Sequence, residues 1–255
     1  MDAHSPTASG RVYVFQHIAC EDLGTFADIL ARHGLHTDYV RLFAGDALPD
    51  DWETARALVF LGGPMSVNDE ARLDYLGSEK TLIRAALGRG MPILGVCLGA
   101  QLLAAAAGSR VVRASRAEIG WAPVTLTVEG HQDPVLSSVA ALPSVFHWHG
   151  ETFDLPPGAT RLAFSALTIN QAFRLGEVAY GLQFHLEVDT AAIATWLREY
   201  VAELGPDADA PQRILAESAR YERALHTAAS EAIGGFLDVT VPAAAFAGVV
   251  DGTRR

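Results

Sequence analysis

The sequence has few cysteines, an excess of negative charge and no long apolar run, and each of these features excludes a class of protein. Two cysteines in 255 residues are too few for a disulfide framework, so we expect a reducing, cytoplasmic environment. The 19 Lys and Arg residues are outnumbered by 30 Asp and Glu residues, and the net charge of −11 disfavours nucleic acids and anionic membranes as partners. No apolar segment approaches the roughly 18 residues of a membrane span, and residues 1–10 lack the pattern of a signal peptide.

Motifs that hold nucleotides or metals are also missing. The chain contains no P-loop, no G-x-G-x-x-G string and no Cys/His spacing typical of zinc sites, so we expect no cofactor and no metal. Half of the residues are apolar, which is enough for one large core. We therefore expect a flexible lead-in over residues 1–10, one catalytic domain over residues 11–204 and, over residues 205–255, a helical extension packed on the same domain.

Strand and helix patterns alternate in the first half of the chain. Apolar, β-rich runs predict strands at residues 12–18, 36–43, 57–61 and 93–96. Amphipathic segments predict helices at residues 23–33 and 73–89 and directly after residue 97. Alternation at these spacings is typical of an α/β fold with a mostly parallel central sheet and helices on both faces.

The second half contains short strands separated by Gly, Pro and Asp turns, which favours a small antiparallel portion. The predicted strands are residues 111–113, 123–128, 145–149, 161–164, 172–175 and 178–185. Helical patterns then return and predict C-terminal helices at residues 190–204 and 213–237, with a short tail from residue 239.

Cys97 lies where an apolar strand stops and a helix-forming stretch begins. Gly95 and Gly99 flank it and leave room for a tight turn, as in the G-x-S-x-G elbow of serine hydrolases. The free N–H groups and the dipole of the following helix favour a thiolate at this position. The local sequence therefore predicts a reactive cysteine.

A second string, Y-G-L-Q-F-H-L-E-V, ends a predicted strand and contains His185 and Glu187. Residues i and i+2 of an extended chain face the same way, so this carboxylate can orient the imidazole. With Cys97, these residues supply the nucleophile, base and orienting group of thiol catalysis. We expect the three to meet, because the carboxyl ends of strands form the site edge of an open α/β sheet.

A third string, L-G-G-P-M-S-V, follows another predicted strand. Its glycines permit close approach of the backbone. A backbone N–H there, together with the N–H of Leu98, could hold a developing oxyanion during acyl transfer.

Taken together, these strings resemble the class I glutamine amidotransferases, and within them the stand-alone GMP synthase-like proteins and γ-glutamyl peptidases. The matching motifs, in the family's order, are G-G-P at 62–64, G-V-C-L-G-A-Q at 95–101, E-I-G-W at 118–121, W-H-G-E at 148–151 and Q-F-H-L-E at 183–187. The resemblance implies a flavodoxin-like fold and thiol-dependent hydrolysis of a γ-glutamyl amide by way of a γ-glutamyl thioester.

The resemblance also implies a role for each matching residue. Cys97 is the nucleophile, His185 moves the proton and Glu187 orients His185. The N–H groups of Gly63 and Leu98 form the oxyanion hole. The residues implied in substrate binding are Gln101, Trp148, His149, Gly150 and Glu151.

The substrate and the partners stay open at this point. Leu98 and Trp148 depart from the residues usual in the family, so both L-glutamine and a γ-glutamyl conjugate are candidates. One hypothesis is a hydrolase that acts alone on a small-molecule γ-glutamyl substrate, and another is a glutaminase subunit that delivers ammonia to a separate synthetase partner. A third, a regulatory or binding module without turnover, is disfavoured by the intact triad. The C-terminal helix pattern covers the core or forms the surface of a homodimer.

His147 and His149 share one face of a predicted strand, with Glu151 beyond them. A pair of metal ligands is one interpretation, but no third ligand string accompanies it. We therefore interpret these residues as part of a pocket wall. We interpret His17 as structural and Cys20 as a buried, inert thiol.

Overall fold

Ten β-strands and six α-helices make up the part of the chain that the computed structural model describes, residues 10–240. The strands are β1 (Arg11–Gln16), β2 (His36–Arg41), β3 (Ala57–Phe60), β4 (Ile93–Val96), β5 (Val111–Ala122), β6 (Thr125–Leu126), β7 (Val145–Phe153), β8 (Ala159–Phe164), β9 (Ala172–Leu175) and β10 (Ala179–Leu182). The helices are α1 (Thr25–Arg32), α2 (Tyr75–Gly88), α3 (Leu98–Ala106), α4 (Val128–Gln132), α5 (Thr190–Glu199) and α6 (Ala210–Thr240). Apart from Gly10, the predicted lead-in lies outside the described residues. The tail was predicted to start at residue 239, but residues 239 and 240 belong to α6, and residues 241–255 lie outside the described residues.

Eight of the strands form one sheet in the order β2-β1-β3-β4-β10-β9-β8-β6. The pairs from β2 to β10 are parallel, and the pairs from β10 to β6 are antiparallel. The remaining strands, β5 and β7, pair with each other in a separate antiparallel ribbon. This arrangement confirms the predicted α/β class, with a mostly parallel sheet and a small antiparallel portion.

The sheet is covered by helices on both faces because its strands are apolar on both sides. In β1, Val12 and Val14 pack into one buried cluster, while Tyr13 and Phe15 pack into the other, as the two-residue period of a strand requires. Buried side chains of α1, α5 and α6 belong to the first cluster, and those of α2 and α3 belong to the second. Helix α6 contacts α1 and α5, so the end of the described chain packs on the same core. No helix within residues 10–240 combines the length and the apolarity that crossing a bilayer requires.

Three predicted elements differ from the structure. Strand β5 continues to Ala122 instead of ending at residue 113, because its partner β7 offers a long complementary edge after a bulge between Arg113 and Glu118. The predicted strand at 123–128 shrinks to β6, since the Thr127 hydroxyl accepts a hydrogen bond from the N–H of Gly130 (3.0 Å) and caps α4. The predicted strand at 178–185 ends at Leu182, and the chain then turns so that His185 pairs with Phe146 of β7.

The turn from β4 into α3 forces an unusual backbone conformation on Cys97. Its φ of 52° and ψ of −106° make it the one non-glycine residue with positive φ in the described chain. The flanking glycines are required by close contact. A Cβ on Gly99 would lie 2.0 Å from the carbonyl oxygen of Phe60, and one on Gly95 would lie 2.5 Å from the Gly99 backbone. This elbow confirms the predicted strand-turn-helix position of the cysteine.

The strain at the elbow predicts that glycine at position 97 makes the protein more stable than alanine does, the reverse of the usual order. A non-glycine residue with such a backbone costs of order 1–3 kcal/mol, so Cys97→Gly should be more stable than Cys97→Ala by about 1 kcal/mol. The control is Ala104→Gly within α3. Glycine there should instead destabilise the chain by at least about 1 kcal/mol, because the helix loses a favourable residue and a buried methyl group. Denaturant midpoints measure both differences. If Cys97→Gly is less stable than Cys97→Ala by as much as Ala104→Gly is less stable than wild type, the elbow is not strained.

Candidate active site

The structure brings Cys97, His185 and Glu187 together where β4 and β10 end. The pairing of these two strands is parallel, so their carboxyl ends lie side by side. His185 Nδ1 lies 2.5 Å from Glu187 Oε1. The Cys97 thiol donates to the carbonyl oxygen of Trp148 at 3.5 Å, and Gln183 Nε2 donates to the sulfur at 3.7 Å.

The His185 ring is fully buried and has one nitrogen without a partner. Its Nε2 makes no hydrogen bond of good geometry within the described chain. Burial alone would lower the pKa of His185, but the Glu187 carboxylate and the neighbouring Cys97 thiol outweigh it and hold the pKa well above its usual value. The ring of Trp196 stands edge-on to it, with centroids 4.9 Å apart. His185 is therefore rigidly held, with Nε2 free to exchange a proton.

The Glu187 carboxylate is fixed by backbone contacts that the sequence pattern did not reveal. Its Oε2 accepts a hydrogen bond from the N–H of Leu186 (3.0 Å). The carbonyl oxygen of Glu187 accepts from the N–H of Thr25, the first residue of α1 (2.8 Å). A Cβ on Gly24 would lie 2.1 Å from that same oxygen, so the loop before α1 can come this close only with glycine there.

The Cys97 thiol is protonated in this environment. Burial raises its pKa, His185 lowers it, and the carboxylates of Glu21 and Glu187 raise it further, so the net shift is upward. This direction is opposite to the expectation of a thiolate stabilised by the helix dipole. Burial of the sulfur is the largest cause of the shift.

Gly63 lies in the loop after β3, and Leu98 directly follows Cys97. Among the described residues, the backbone N–H of neither donates to a backbone carbonyl. His17, interpreted as structural, holds this loop: its Nδ1 lies 3.2 Å from the carbonyl oxygen of Gly62, and its Nε2 lies 3.1 Å from the Glu79 carboxylate. Both nitrogens face acceptors. Although burial alone would lower the pKa of His17, these acceptors raise it.

A cavity of about 520 Å³ opens over the thiol. All five residues that the resemblance implies in substrate binding line it: Gln101, Trp148, His149, Gly150 and Glu151. Cys97, His185 and Gly63 line it as well, whereas Leu98 and Glu187 do not. The Gln101 amide is bonded within the chain, to Gln183 Oε1 (3.1 Å) and to the carbonyl oxygen of Glu151 (3.3 Å). A larger depression of about 680 Å³ is lined by α6 alone and shares no lining residue with this cavity.

Two lining residues, Glu21 and Tyr200, were missed by sequence reasoning. The Tyr200 hydroxyl donates to Glu21 Oε1 (2.7 Å), and a Cβ on Gly62 would lie 2.1 Å from Glu21 Oε2 and 3.5 Å from His185 Cε1. Burial, the largest cause, raises the pKa of Glu21. The available signal was a carboxylate in the loop directly after β1, at the same sheet edge as the cysteine. The site thus holds a second buried carboxylate close to His185.

A polar cluster lies behind the cavity wall, where β5 faces β7. Glu118 is opposite His149 in the strand register, and Gly120 is opposite His147. Burial alone would raise the pKa of Glu118, but His149 and the Ser165 hydroxyl lower it to about 2. Burial lowers the pKa of His147 to about 4. The cluster therefore contains a carboxylate and a neutral imidazole at neutral pH.

Comparisons with known proteins agree on one family. The model of the class I glutamine amidotransferases matches residues 22–200. A glutamine amidotransferase-like protein of Salmonella typhimurium, YfeJ, is 31% identical over 197 residues, which are 76% of this chain and 82% of that protein. A glutamine-hydrolyzing GMP synthase subunit from Natronomonas pharaonis is 30% identical over 181 residues, 70% of this chain and 84% of its own.

Solved structures give the same result. A crystallised glutamine amidotransferase from Thermotoga maritima superposes with a TM-score of 0.80 at 33% identity, covering 89% of this chain and 98% of its own. The chain also matches longer GMP synthases, of whose length it spans only 28% to 32%.

The raised pKa of the Cys97 thiol predicts a pH-dependent reactivity. The rate of alkylation by iodoacetamide should keep rising with pH beyond about 8.5, the usual pKa of a cysteine, because burial disfavours the thiolate. In His185→Ala the inflection should move higher still, since His185 lowers this pKa. Peptide-level mass spectrometry separates Cys97 from Cys20, the internal control. A rate that reaches its plateau below pH 7 would contradict a protonated resting thiol.

Proposed function

Because the chain belongs to the class I glutamine amidotransferase family, we propose that it hydrolyses a γ-glutamyl amide through a thioester on Cys97. The observation that carries this proposal is the fully buried imidazole of His185, bonded on Nδ1 to Glu187 at 2.5 Å and without a partner on Nε2, beside the thiol. A nucleophile, a base and an orienting carboxylate in this relation are the requirements of thiol catalysis.

The first step is attack of the Cys97 sulfur on the γ-carbonyl carbon of the substrate. The step starts from the form of His185 in which Nε2 carries no proton. The thiol proton leaves its contact with the Trp148 carbonyl and passes to Nε2, and the electron pair of the C=O bond moves to oxygen. The N–H groups of Gly63 and Leu98 stabilise this oxyanion. Glu187 stabilises the imidazolium that forms, because its carboxylate faces Nδ1–H.

The tetrahedral intermediate then collapses. The C–N bond breaks as His185 returns the proton to the departing nitrogen, which leaves as ammonia or as an amine. Water next attacks the thioester carbon while His185 accepts its proton. The C–S bond breaks, the product leaves with a free γ-carboxylate, and the sulfur regains a proton from His185.

The charges lining the cavity suit the amino-acid end of such a substrate. Four acidic residues line it, Glu21, Asp69, Glu151 and Glu203, together with one basic residue, Arg113. A γ-glutamyl group carries both an α-ammonium and an α-carboxylate. We propose that the acidic side chains receive the former and Arg113 the latter, while Gln101, Trp148, His149 and Gly150 shape the rest of the pocket.

A second candidate is a glutaminase subunit that delivers ammonia to a separate synthetase. It is favoured by the similarity to the Natronomonas pharaonis GMP synthase subunit, 84% of whose length is covered. A binding module without turnover is disfavoured, since nothing in the catalytic group is replaced by an inert residue.

We further propose one catalytic domain over residues 11–204 with a packed extension from residue 205, which could also support a homodimer. A cytoplasmic setting suits the two free cysteines.

The proposed roles rank the effects of two substitutions. His185→Ala removes the proton carrier and should lower kcat/KM by about 100- to 10,000-fold. Glu187→Gln keeps an acceptor oxygen for Nδ1–H and should lower it less. Steady-state kinetics at constant pH measure both, with the exposed turn variant Glu177→Gln as the control that stays near wild type. Equal losses would mean that Glu187 does more than orient the ring.

The substrate experiment decides between the two candidates. Wild type and Cys97→Ala are incubated with L-glutamine and with a panel of γ-glutamyl peptides and amines, and released ammonia or amine is measured. We expect release by wild type and none by Cys97→Ala. Ammonia from L-glutamine supports a glutaminase, and release only from conjugates supports a γ-glutamyl hydrolase.

Intact-mass spectrometry of the same mixtures tests for the thioester. An acyl adduct on Cys97 without turnover supports a glutaminase that needs a synthetase partner. Release that persists undiminished in Cys97→Ala would remove the thiol from the reaction, and neither release nor an adduct with any of these compounds would contradict the proposal.

A further inference from the structure

We infer that Glu118, His147 and His149 form a binding site for a divalent transition-metal ion of the zinc class. One ligand atom from each of these buried residues lies within 4.8 Å of the other two. The sequence offered only the two histidines. The third ligand comes from β5, where Glu118 is opposite His149 in the register with β7.

Each of the two imidazoles has one buried nitrogen without a hydrogen-bond partner among the described residues. His147 Nε2 lies 3.3 Å from the carbonyl oxygen of Ala122, and His149 Nδ1 lies 3.1 Å from that of Glu151. A carbonyl oxygen only accepts, so these two nitrogens carry the protons. His147 Nδ1 and His149 Nε2 are the remaining nitrogens, and both are buried without a hydrogen-bond partner in the described chain.

This pattern is that of metal-binding histidines. A ligating imidazole usually donates its other N–H to a carbonyl or carboxylate, which fixes the tautomer and the orientation of the ring. Both rings meet that condition. A buried lone pair without a donor is costly, and a metal ion satisfies it.

The carboxylate is held in the same way. The Ser165 hydroxyl donates to Glu118 Oε1 (2.6 Å), and Gln171 Nε2 donates to Glu118 Oε2 (2.8 Å). Oε2 also lies 3.3 Å from His149 Nε2, in a geometry that leaves that nitrogen unpartnered. The free Gln171 Oε1 is a further unsatisfied oxygen in the cluster. A carboxylate and two imidazoles match the ligands that zinc and related ions prefer.

The position of the cluster gives the ion a structural consequence. His149 lines the cavity above Cys97, whereas its imidazole reaches back to Glu118 on the neighbouring strand. A bound ion would tie β5 to β7 and brace the cavity wall. This inference does not depend on which substrate the cavity takes.

Metal binding is tested on the tag-free full chain after treatment with a chelator. Zn²⁺ is added, excess is removed by gel filtration, and bound metal per chain is measured by plasma mass spectrometry. We expect one equivalent in wild type and in the control His131→Gln, whose side chain is exposed. His147→Gln and Glu118→Gln should bind at least about 10- to 100-fold more weakly, the loss known even for outer-shell partners.

The active-site thiol is the competing ligand, so Cys97→Ser is measured in parallel. It should keep its equivalent of Zn²⁺, and Co²⁺ bound to wild type should show no sulfur charge-transfer band. Thermal unfolding of the metal-free proteins shows that each variant folds, and Zn²⁺ should raise the midpoint of wild type and Cys97→Ser but not of His147→Gln. The inference is overturned if wild type binds no metal, if both cluster variants bind as well as wild type, or if Cys97→Ser loses the ion.

Discussion

The close approach of α3 to β3 is the constraint on which the site depends. Gly99 touches the carbonyl oxygen of Phe60, and its N–H bonds to the carbonyl of Leu61 (3.1 Å). No side chain fits into that contact, so the helix can start only where glycine lets two backbones meet. The position of the Cys97 sulfur, the direction of the Leu98 N–H and the distance to the Gly62-Gly63 loop all follow from it. Strain at one residue is the cost of that geometry, and the packed sheet around it sustains the strain.

Burial then decides the electrostatics of the catalytic group. A neutral thiol can be buried at little cost, and so can an imidazole that is bonded to a carboxylate. An isolated thiolate cannot, because burial disfavours an unpaired charge. The Glu187 carboxylate compensates by raising the pKa of His185 despite the desolvation of the ring. His17 repeats the same arrangement under the neighbouring loop, with Glu79 as its carboxylate. Two buried histidine–carboxylate pairs thus hold the His185 ring and the Gly62-Gly63 loop.

Local patterns in the sequence were sufficient to predict the elements that neighbouring residues determine, such as single strands, helices and the elbow at Cys97. The alternation of strand and helix patterns predicted the sheet. The apolar run before Cys97, its glycines and the H-x-E string predicted the elbow and the meeting of the thiol with His185. Contacts between segments that are distant in the sequence could not be predicted. Nothing near Glu21 says that its carboxylate lies under Gly62, and nothing near Glu118 says that a bulge puts it opposite His149. Register across a ribbon depends on both strands at once, so a single strand does not reveal it.

The charges around the thiol link its ionisation to the substrate. Glu21 and Glu187 both raise the pKa of Cys97, so the empty cavity disfavours the thiolate. Under the proposed function, the incoming γ-glutamyl group brings an ammonium ion among the cavity's carboxylates. That positive charge offsets part of their field at the sulfur and lowers the cost of ionisation. A substrate without the ammonium group would leave the field unchanged and the thiol protonated. Under the proposed function, the acidic lining would therefore restrict attack to molecules that carry an ammonium group.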